Sequence, residues 1–238
     1  MVGTGRGAKL GILIKNGEVL EAANGIQTVV FDKTGTVTIG KPVVTDIIGE
    51  EIAVMALAAA LEHSSEHPLG AAILEKADSL GVTVEEVTNF IAIPGKGVTA
   101  RMAGKQVFIG NAKLLDTRLD AKLEHEMQRL QSDAKTVVIV GRENEAVGLI
   151  AIQDAPKKTS AVAVTALKRR GFHTVMITGD TERVARAVAN HVGIDTVIAE
   201  VLPGDKADHV RSLQQSGKVA FVGDGINDAP ALAAANLG

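Results

Sequence analysis

The stretch that decides the fold is Thr28-Val29-Val30-Phe31-Asp32-Lys33-Thr34-Gly35-Thr36, residues 28–36. β-Branched and aromatic residues lead up to Asp32, which is typical of a short buried strand, and a polar, glycine-containing loop follows. An apolar strand followed by a polar loop recurs at residues 173–180 and 218–225. Stretches of helical character separate these strands, and this alternation predicts a parallel α/β sheet.

The middle of the chain has a different pattern. The elements predicted there are helices over 52–63, 68–80 and 114–130 and hairpins over 98–109 and 136–152. Hairpins indicate antiparallel pairing, whereas alternating strands and helices indicate parallel pairing. We therefore expect residues 44–147 to form an antiparallel sheet with helices, inserted into an α/β domain made from residues 1–43 and 148–238.

Composition excludes several classes of protein. A formal net charge of −3 over 238 residues gives no basic footprint, so nucleic acid is not an expected partner. The chain has no cysteine, which excludes disulfides and thiolate metal sites. Its longest apolar run, Ile52–Leu61, is far shorter than the ~18 residues that a spanning helix needs. The chain as given is expected to be soluble and cytoplasmic.

Three acidic residues, Asp32, Asp180 and Asp224, each follow a predicted strand. Ligand sites of open parallel sheets lie beyond the carboxyl ends of the strands, so these loops are expected to gather the three carboxylates. Such an oxygen-rich set suits Mg²⁺, and a carboxylate can attack a phosphoryl group to give an aspartyl phosphate. The alternative for any one of them is simple helix capping.

Three ordered segments carry a resemblance to a known family. DKTGTVT at residues 32–38 resembles the phosphorylation signature of P-type ATPases, and TGD at 178–180 and GDGINDAP at 223–230 resemble two further motifs of that family. The resemblance implies a haloacid-dehalogenase-like fold: an α/β parallel-sheet domain with an inserted α+β nucleotide-binding domain built on an antiparallel sheet.

The resemblance also implies roles for the acidic motif residues. Asp32 would accept the phosphoryl group. Mg²⁺ would be held by the Asp32 side chain, the Thr34 backbone carbonyl and Asp224. Asn227 and Asp228 would complete the shell around the metal and the phosphate.

The remaining motif residues would bind the transferred group. Thr178 would donate a hydrogen bond to it, Gly179 would let the backbone approach, and Asp180 would lie by the nucleotide phosphates. Lys206 would offset the negative charge that develops during transfer. Weaker candidates for orienting the site are Lys33, Asp154 and Lys158.

A second set of residues resembles the nucleotide site of heavy-metal-transporting P-type ATPases: Glu62, His67, Gly95, Gly97 and Asn111. An imidazole at the start of a helix can stack on adenine or hydrogen-bond to it, and glycines let a ligand approach the backbone. Each feature alone has an ordinary structural explanation, as a turn or a packing histidine. Together they predict that ATP is bound by the insert.

The expected function is therefore that of the cytosolic catalytic part of a metal pump, which uses ATP and Mg²⁺ to phosphorylate Asp32. The segments at residues 5–8 and 11–15 resemble copper(I)-exporting members, with a zinc, cadmium or silver pump as the close rival. The expected partners are the pump's own transmembrane helices and actuator domain and a metal chaperone. The expected location is the cytoplasmic face of a membrane.

Two other functions are open at this point. A free-standing phosphatase of the same superfamily would need an acid two residues after the nucleophile, and Thr34 occupies that position. A non-catalytic nucleotide-binding regulator would not need Asp32, Lys206 and Asp224, all of which are present.

Overall fold

The computed structural model describes residues 2–65, 68–115, 119–225 and 228–238. The helices are α1 (Val2–Lys9), α2 (Gly17–Ala22), α3 (Glu51–Glu62), α4 (Pro68–Ser79), α5 (Ala121–Ser132), α6 (Ser160–Arg169), α7 (Glu182–Val192), α8 (Lys206–Gln214) and α9 (Ala229–Ala234). The strands are β1 (Ile26–Asp32), β2 (Val43–Ile48), β3 (Thr88–Ile93), β4 (Gly97–Met102), β5 (Lys105–Gly110), β6 (Thr136–Arg142), β7 (Glu145–Gln153), β8 (His173–Ile177), β9 (Thr196–Ile198) and β10 (Lys218–Val222).

Internal contacts divide the chain into two compact units. The first comprises Met1–Val37, Lys157–Gly179 and Val192–Gly238. The second comprises Thr38–Pro156 and Asp180–His191.

The first unit is built on a four-stranded sheet in the order β10-β1-β8-β9, with every pair parallel. Val30 in β1 pairs with Phe221 on one side and Val175 on the other, and all three side chains are buried. Parallel strands covered on both faces carry continuous apolar runs, which explains the composition of β1, β8 and β10. This sheet confirms the predicted α/β fold, and its carboxyl edge carries Asp32.

The second unit is built on a six-stranded antiparallel sheet in the order β2-β7-β6-β5-β4-β3. Helices α3 and α4 contribute Met55, Leu61 and Ile73 to one core cluster, in which Ile109 and Ile150 of the sheet are also buried. Helix α5 contributes Leu130 to a second cluster with other sheet residues. The predicted α+β insert on an antiparallel sheet is therefore confirmed as a fold.

The borders of this insert differ from the predicted 44–147. Strand β7 continues to Gln153, and Thr38 pairs with Pro156 in an antiparallel bridge. The unit therefore extends over 38–156, because these residues complete the antiparallel ladder. Its description as a nucleotide-binding domain stays a prediction.

The predicted helix over 114–130 is wrong at its start. Leu115 is extended, and α5 begins only at Ala121, where the Asp120 carboxylate caps the Lys122 and Leu123 amides at 2.6 and 3.1 Å. An aspartate at the N-cap accepts hydrogen bonds from otherwise unpaired amides and fixes the start of a helix there. Helix α6 and strands β2, β3 and β9 were not predicted.

In the described ranges, no helix has both the length and the apolar character needed to cross a membrane.

Asp195, which precedes β9, links elements at the amino ends of β8 and β9 in the parallel sheet. Its carboxylate accepts hydrogen bonds from the Thr174 amide at 3.0 Å and the Thr174 hydroxyl at 2.7 Å, and it pairs with Lys168 at 2.5 Å. Partial burial opposes ionisation, but the Lys168 and Thr174 bonds outweigh it and lower the pKa of Asp195 to about 2. The carboxylate thus joins α6, β8 and β9 only while it is ionised.

We predict that Asp195→Asn lowers the free energy of unfolding by about 1–2 kcal/mol near neutral pH. Because the folded-state pKa is depressed, this contribution is present above about pH 4 and is lost as pH falls toward about 2. Urea unfolding at several pH values would measure it, with Asp78→Asn on the exposed face of α4 as the control. A variant deficit that stays constant down to the lowest pH would contradict the assignment.

Candidate active site

The loop that follows β1 is a tight turn. Thr34 has φ −74° and ψ 128°, and Gly35 has φ 74° and ψ −17°, which are the central angles of a type II turn. The third residue of that turn needs positive φ, which glycine adopts without strain. A side chain at Gly35 would also meet the Asp224 carboxylate, with an added Cβ only 2.7 Å from Oδ2. The turn therefore brings the loop after β1 into contact with the loop after β10.

Lys206 lies at the centre of the site. Its ammonium donates to Asp32 Oδ1 at 2.6 Å and to Asp228 Oδ1 at 2.7 Å. Asp32 is 5% exposed and Asp228 is 1% exposed, so the cation is shared by two buried carboxylates. Among the described residues, Asp228 Oδ2 has no hydrogen-bond partner. Asp228 is thus a buried counter-ion for Lys206, a contact that the motif did not predict.

The protonation of these groups follows from burial and charge. Burial raises the pKa of Asp32; the hydrogen bond and charge of Lys206 oppose the rise, and the charges of Asp228 and Asp224 add to it. Burial lowers the pKa of Lys206, but its bonds to Asp228 and Asp32 outweigh burial, and the net shift is upward. Lys206 therefore stays a cation, and further positive charge would favour the ionised, nucleophilic form of Asp32.

The donor set near Asp32 fits a magnesium ion. When all are ionised, the three carboxylates and Lys206 carry a formal charge of −2, which a divalent cation would balance. The described residues contain no cluster of three or more His, Asp or Glu side chains suited to a metal. Mg²⁺ typically uses one or two carboxylates, with waters and substrate phosphates as further ligands. Asp32, the exposed Asp224 and the Thr34 carbonyl are donors of that kind.

The loop after β8 holds the next predicted residues. Thr178 is 3% exposed; its amide donates to Ile198 at 3.0 Å, and its carbonyl accepts from Val201 at 3.1 Å. A Cβ on Gly179 would lie 3.3 Å from the Val201 carbonyl, so the loop has little room for a side chain there. Both residues sit at the carboxyl edge of the parallel sheet, as predicted.

Asp180 belongs to the second compact unit. Its carboxylate accepts a 3.4 Å hydrogen bond from the Thr136 hydroxyl. Its expected place beside the nucleotide phosphates stays a prediction. Lys33 is buried directly after Asp32, and its role in orienting the site likewise stays a prediction.

In the insert, Gly95, Gly97 and Asn111 come together at one end of the β4–β5 pair. The Asn111 side-chain amide donates to the Gly95 carbonyl at 2.8 Å, and the Asn111 backbone amide donates to the Lys96 carbonyl at 2.8 Å. Gly97 has φ 145°, and a Cβ there would collide with the backbone of Ile109. The two glycines and the asparagine thus form a turn whose glycine backbone packs closely against a neighbouring strand.

The other nucleotide-site candidates are less fully defined. Glu62 is the last residue of α3, is 8% exposed, and packs against Gly70 of α4, where a side chain would meet its carboxylate. His67 lies outside the described residues, as does Asn227 of the first site. Their predicted roles stay predictions.

Two residues after β7 bind the segment that follows Asp32. Asp154 accepts from the Thr38 hydroxyl and from the Gly40 amide at 2.9 Å. Lys157 donates from its ammonium to the Gly35 carbonyl at 2.5 Å. The sequence had singled out Asp154 and Lys158; Lys158 is exposed, and the contact is made by its neighbour. In the sequence, the only indication that Lys157 makes such a contact is its position three residues after Asp154.

Comparison with known proteins identifies this arrangement. A family model described as haloacid dehalogenase-like hydrolase matches residues 26–236. The chain belongs to the haloacid dehalogenase-like hydrolase family. In this hydrolase chain, the matched region spans both compact units, from the start of β1 to the residues that follow α9.

The relatives of this hydrolase chain are P-type ATPases. It is 46% identical to a copper-exporting P-type ATPase of Staphylococcus saprophyticus, with all of the chain and 30% of that relative covered. It is 45% identical to a copper-exporting P-type ATPase of Bacillus subtilis, again with 100% and 30% covered. The predicted resemblance to heavy-metal-transporting P-type ATPases is confirmed, and the chain spans about a third of the length of these curated relatives.

Solved structures agree with this placement. The catalytic domain of the CPx-ATPase CopB-B, studied for its conformational changes upon nucleotide binding, superposes with a TM-score of 0.74 at 30% identity, covering 98% of this chain and 84% of that one. A zinc-transporting PIB-type ATPase in the E2.Pi state superposes with a TM-score of 0.65 at 38% identity, covering 98% of this chain and 39% of that one.

We predict that Lys206→Met lowers the free energy of unfolding at about pH 7 by roughly 3–5 kcal/mol, because two buried carboxylates lose their cation. The raised folded-state pKa of Asp32 then penalises folding at high pH, and protonation relieves that penalty as pH falls. Urea unfolding at about pH 7 and about pH 5 would measure the change.

Lys158→Met is the control for this experiment. Lys158 is an exposed lysine of the first unit, and its loss should change stability by less than about 0.5 kcal/mol. A Lys206→Met deficit that does not shrink at the lower pH would show that the buried charges are not its cause.

Proposed function

We propose that this chain binds ATP and transfers its γ-phosphoryl group to Asp32, as the catalytic part of a P-type pump that exports a heavy-metal ion. The observation that carries the proposal is the buried Lys206 held between Asp32 and Asp228 at 2.6 and 2.7 Å. A capping aspartate at a strand end needs no such buried cation. A nucleophilic carboxylate in an apolar strand end does need one, because burial alone would keep it protonated.

The chemistry assigned to the residues is a single displacement. An ionised Asp32 oxygen forms a bond to the γ-phosphorus, the bond from that phosphorus to the β-phosphate oxygen breaks, and ADP leaves with the electron pair. Lys206 neutralises charge beside the attacking oxygen, and its bond to buried Asp228 holds its ammonium in that position. Thr178, buried at the next strand end, is the proposed donor to the transferred oxygens.

Mg²⁺ is the proposed metal cofactor, held by Asp32, Asp224 and the Thr34 carbonyl. When bound, it would neutralise phosphate charge. Gly35 makes room for Asp224, because any side chain there would occupy the place of its carboxylate. Asn227 and Asp228 are proposed as outer support for this region.

The proposed ATP partner site on the insert consists of Glu62, His67, Gly95, Gly97 and Asn111. The close packing of Gly97 on Ile109 and the Asn111–Gly95 hydrogen bond support it, because both fix the glycine backbone at this turn. Adenine would then be held by residues of the segment 38–156.

Cu(I) is the proposed cargo because the copper-exporting relatives are 45–46% identical to this chain. A zinc or cadmium pump is the second candidate, supported by a zinc-transporting neighbour at 38% identity. The ion ligands, the transmembrane helices and the actuator domain would belong to the rest of the pump, with a metal chaperone as donor of the ion. The proposed location of the chain is the cytoplasmic face of a membrane.

The free-standing phosphatase remains a rival from the same family. Thr34 stands two residues after the nucleophile, and its exposed hydroxyl cannot act as an acid or base near neutral pH. Loss of a general acid or base costs about 10²–10⁴ in rate, which favours a lasting phosphoenzyme. The two functions therefore differ in the lifetime of the aspartyl phosphate.

We predict that the chain becomes labelled by γ-radiolabelled ATP with Mg²⁺, and that hydroxylamine removes the label because it is an acyl phosphate. Asp32→Asn should abolish labelling while keeping ATP binding. Asp208→Asn, on the exposed face of α8, is the matched control and should label like the parent. Labelling that survives Asp32→Asn, or fast multiple turnover by the parent, would favour the phosphatase or another site.

We also predict that His67→Gln weakens ATP binding by roughly 1–2 kcal/mol, the size of one hydrogen bond with ring stacking. Titration calorimetry of ATP would measure it, with thermal unfolding as a check on the fold. His125→Gln, on the exposed surface of α5, should bind ATP like the parent. Equal affinities for the His67 variant and the parent would remove His67 from the site.

A further inference from the structure

The Gly35 carbonyl accepts a hydrogen bond from a lysine that lies outside the phosphorylation motif. Lys157 comes four residues after β7, is partly buried, and donates its ammonium to that carbonyl at 2.5 Å. A hydrogen bond from a charged donor is about twice as strong as a neutral one. Lysine side chains otherwise extend into water, so this fixed position at a catalytic loop needs an explanation.

The backbone around Lys157 is fixed independently of its ammonium. The Lys157 amide donates to the Val37 carbonyl at 2.9 Å, and the Ser160 hydroxyl donates to the same carbonyl at 2.7 Å. The Ser160 amide in turn donates to the Lys157 carbonyl at 3.0 Å. Removal of the ammonium alone would leave all three bonds in place. The ammonium is therefore not required to attach this segment to the loop.

What the ammonium does fix is the orientation of the Gly35 peptide group. Gly35 adopts φ 74°, which glycine reaches without strain, and it has no side chain of its own to help hold this peptide group. The same residue contacts Asp224, whose carboxylate fills the space of the missing Cβ. This peptide is joined through the Gly35 Cα to the preceding peptide, which carries the Thr34 carbonyl. A change in its orientation would therefore alter the Gly35 dihedral angles and, with them, the relative placement of the Thr34 carbonyl and the surface on which Asp224 rests.

We propose that Lys157 is a positioning residue for phosphoryl transfer, which acts by holding the Gly35 carbonyl so that the loop after Asp32 keeps its reactive geometry. This rests on the proposed function of Asp32. Lys157 does not touch the reacting atoms; its effect passes through the Gly35 peptide. Displacement of reacting groups by about an ångström can cost roughly a hundredfold in rate, so a small rotation is sufficient.

The test compares four variants of the whole chain. Lys157→Met keeps the length of the side chain and removes the donor, whereas Lys157→Arg keeps a charged donor. Lys9→Met is the control for loss of an exposed lysine of the same unit. Ser160→Ala removes one donor to Val37 and reports what simple loosening of the loop does. The measurements are the rate of acyl-phosphate formation at saturating ATP, the ATP affinity, the affinity for beryllium fluoride with Mg²⁺, and the thermal midpoint.

For Lys157→Met we expect phosphorylation to be about 10- to 100-fold slower and beryllium fluoride to bind about as much more weakly, with ATP affinity within about twofold of the parent. Lys157→Arg should restore most of the rate, and Lys9→Met should match the parent. Ser160→Ala should lower the thermal midpoint with a smaller change in rate. This pattern separates positioning from stabilisation, because only positioning alters the rate and the mimic together.

Parental phosphorylation and beryllium fluoride binding by Lys157→Met would overturn the inference while leaving the function of Asp32 intact. The same holds if Lys157→Met and Ser160→Ala lose rate in proportion to their thermal midpoints, since the role would then be structural. If the parent itself is not labelled on Asp32, the proposed function fails instead. The two failures are therefore distinguishable.

Discussion

The structure depends on one buried cation between two buried carboxylates. Lys206 begins α8, Asp32 ends β1 and Asp228 lies just before α9, so this contact joins three elements of the parallel sheet unit. Two carboxylates removed from water repel one another, and each costs several kcal/mol unless paired. One ammonium cannot neutralise both. The shared ammonium makes burial of the two carboxylates compatible with folding, but one negative charge remains. The same arrangement would therefore hold three elements together and also attract a divalent cation.

Much of this site could be predicted from the sequence because it lies at strand ends. The apolar run before Asp32 fixes a parallel strand, and the topology of such sheets then brings its loop beside those of the other strands. The resemblance predicts that Lys206 offsets negative charge, but it does not show which oxygens the ammonium contacts. Asp228 was expected in the shell of the metal and the phosphate, whereas its buried carboxylate accepts a hydrogen bond from Lys206. Pairing across long sequence separations depends on packing, which motif spacing does not report.

The errors lie where local patterns compete. A continuous helix over 114–130 fits the periodicity of the apolar residues, yet Asp120 caps the chain and starts α5 at Ala121. The predicted insert ends at residue 147, inside the predicted hairpin over 136–152, whereas β7 continues to Gln153 and pairs with β2. Hydrogen bonds set both boundaries: those that Asp120 accepts at the start of α5, and those between β7 and β2 at the end of the insert. Hydrophobic periodicity shows that an element exists but does not fix where it stops.

The choice between adjacent lysines after β7 follows the same logic. Lys157 and Lys158 have identical side chains, and no property of composition separates them. The difference is set by register: the Lys157 amide pairs with Val37, so its side chain reaches Gly35 and that of Lys158 remains exposed. Those two contacting residues lie 122 positions apart in the chain. A phosphorylation motif read only as DKTGT therefore leaves out the residue that restrains its glycine. Lys157 and Gly35 belong to the same compact unit, so the turn after Asp32 is held by a residue that the motif itself does not contain.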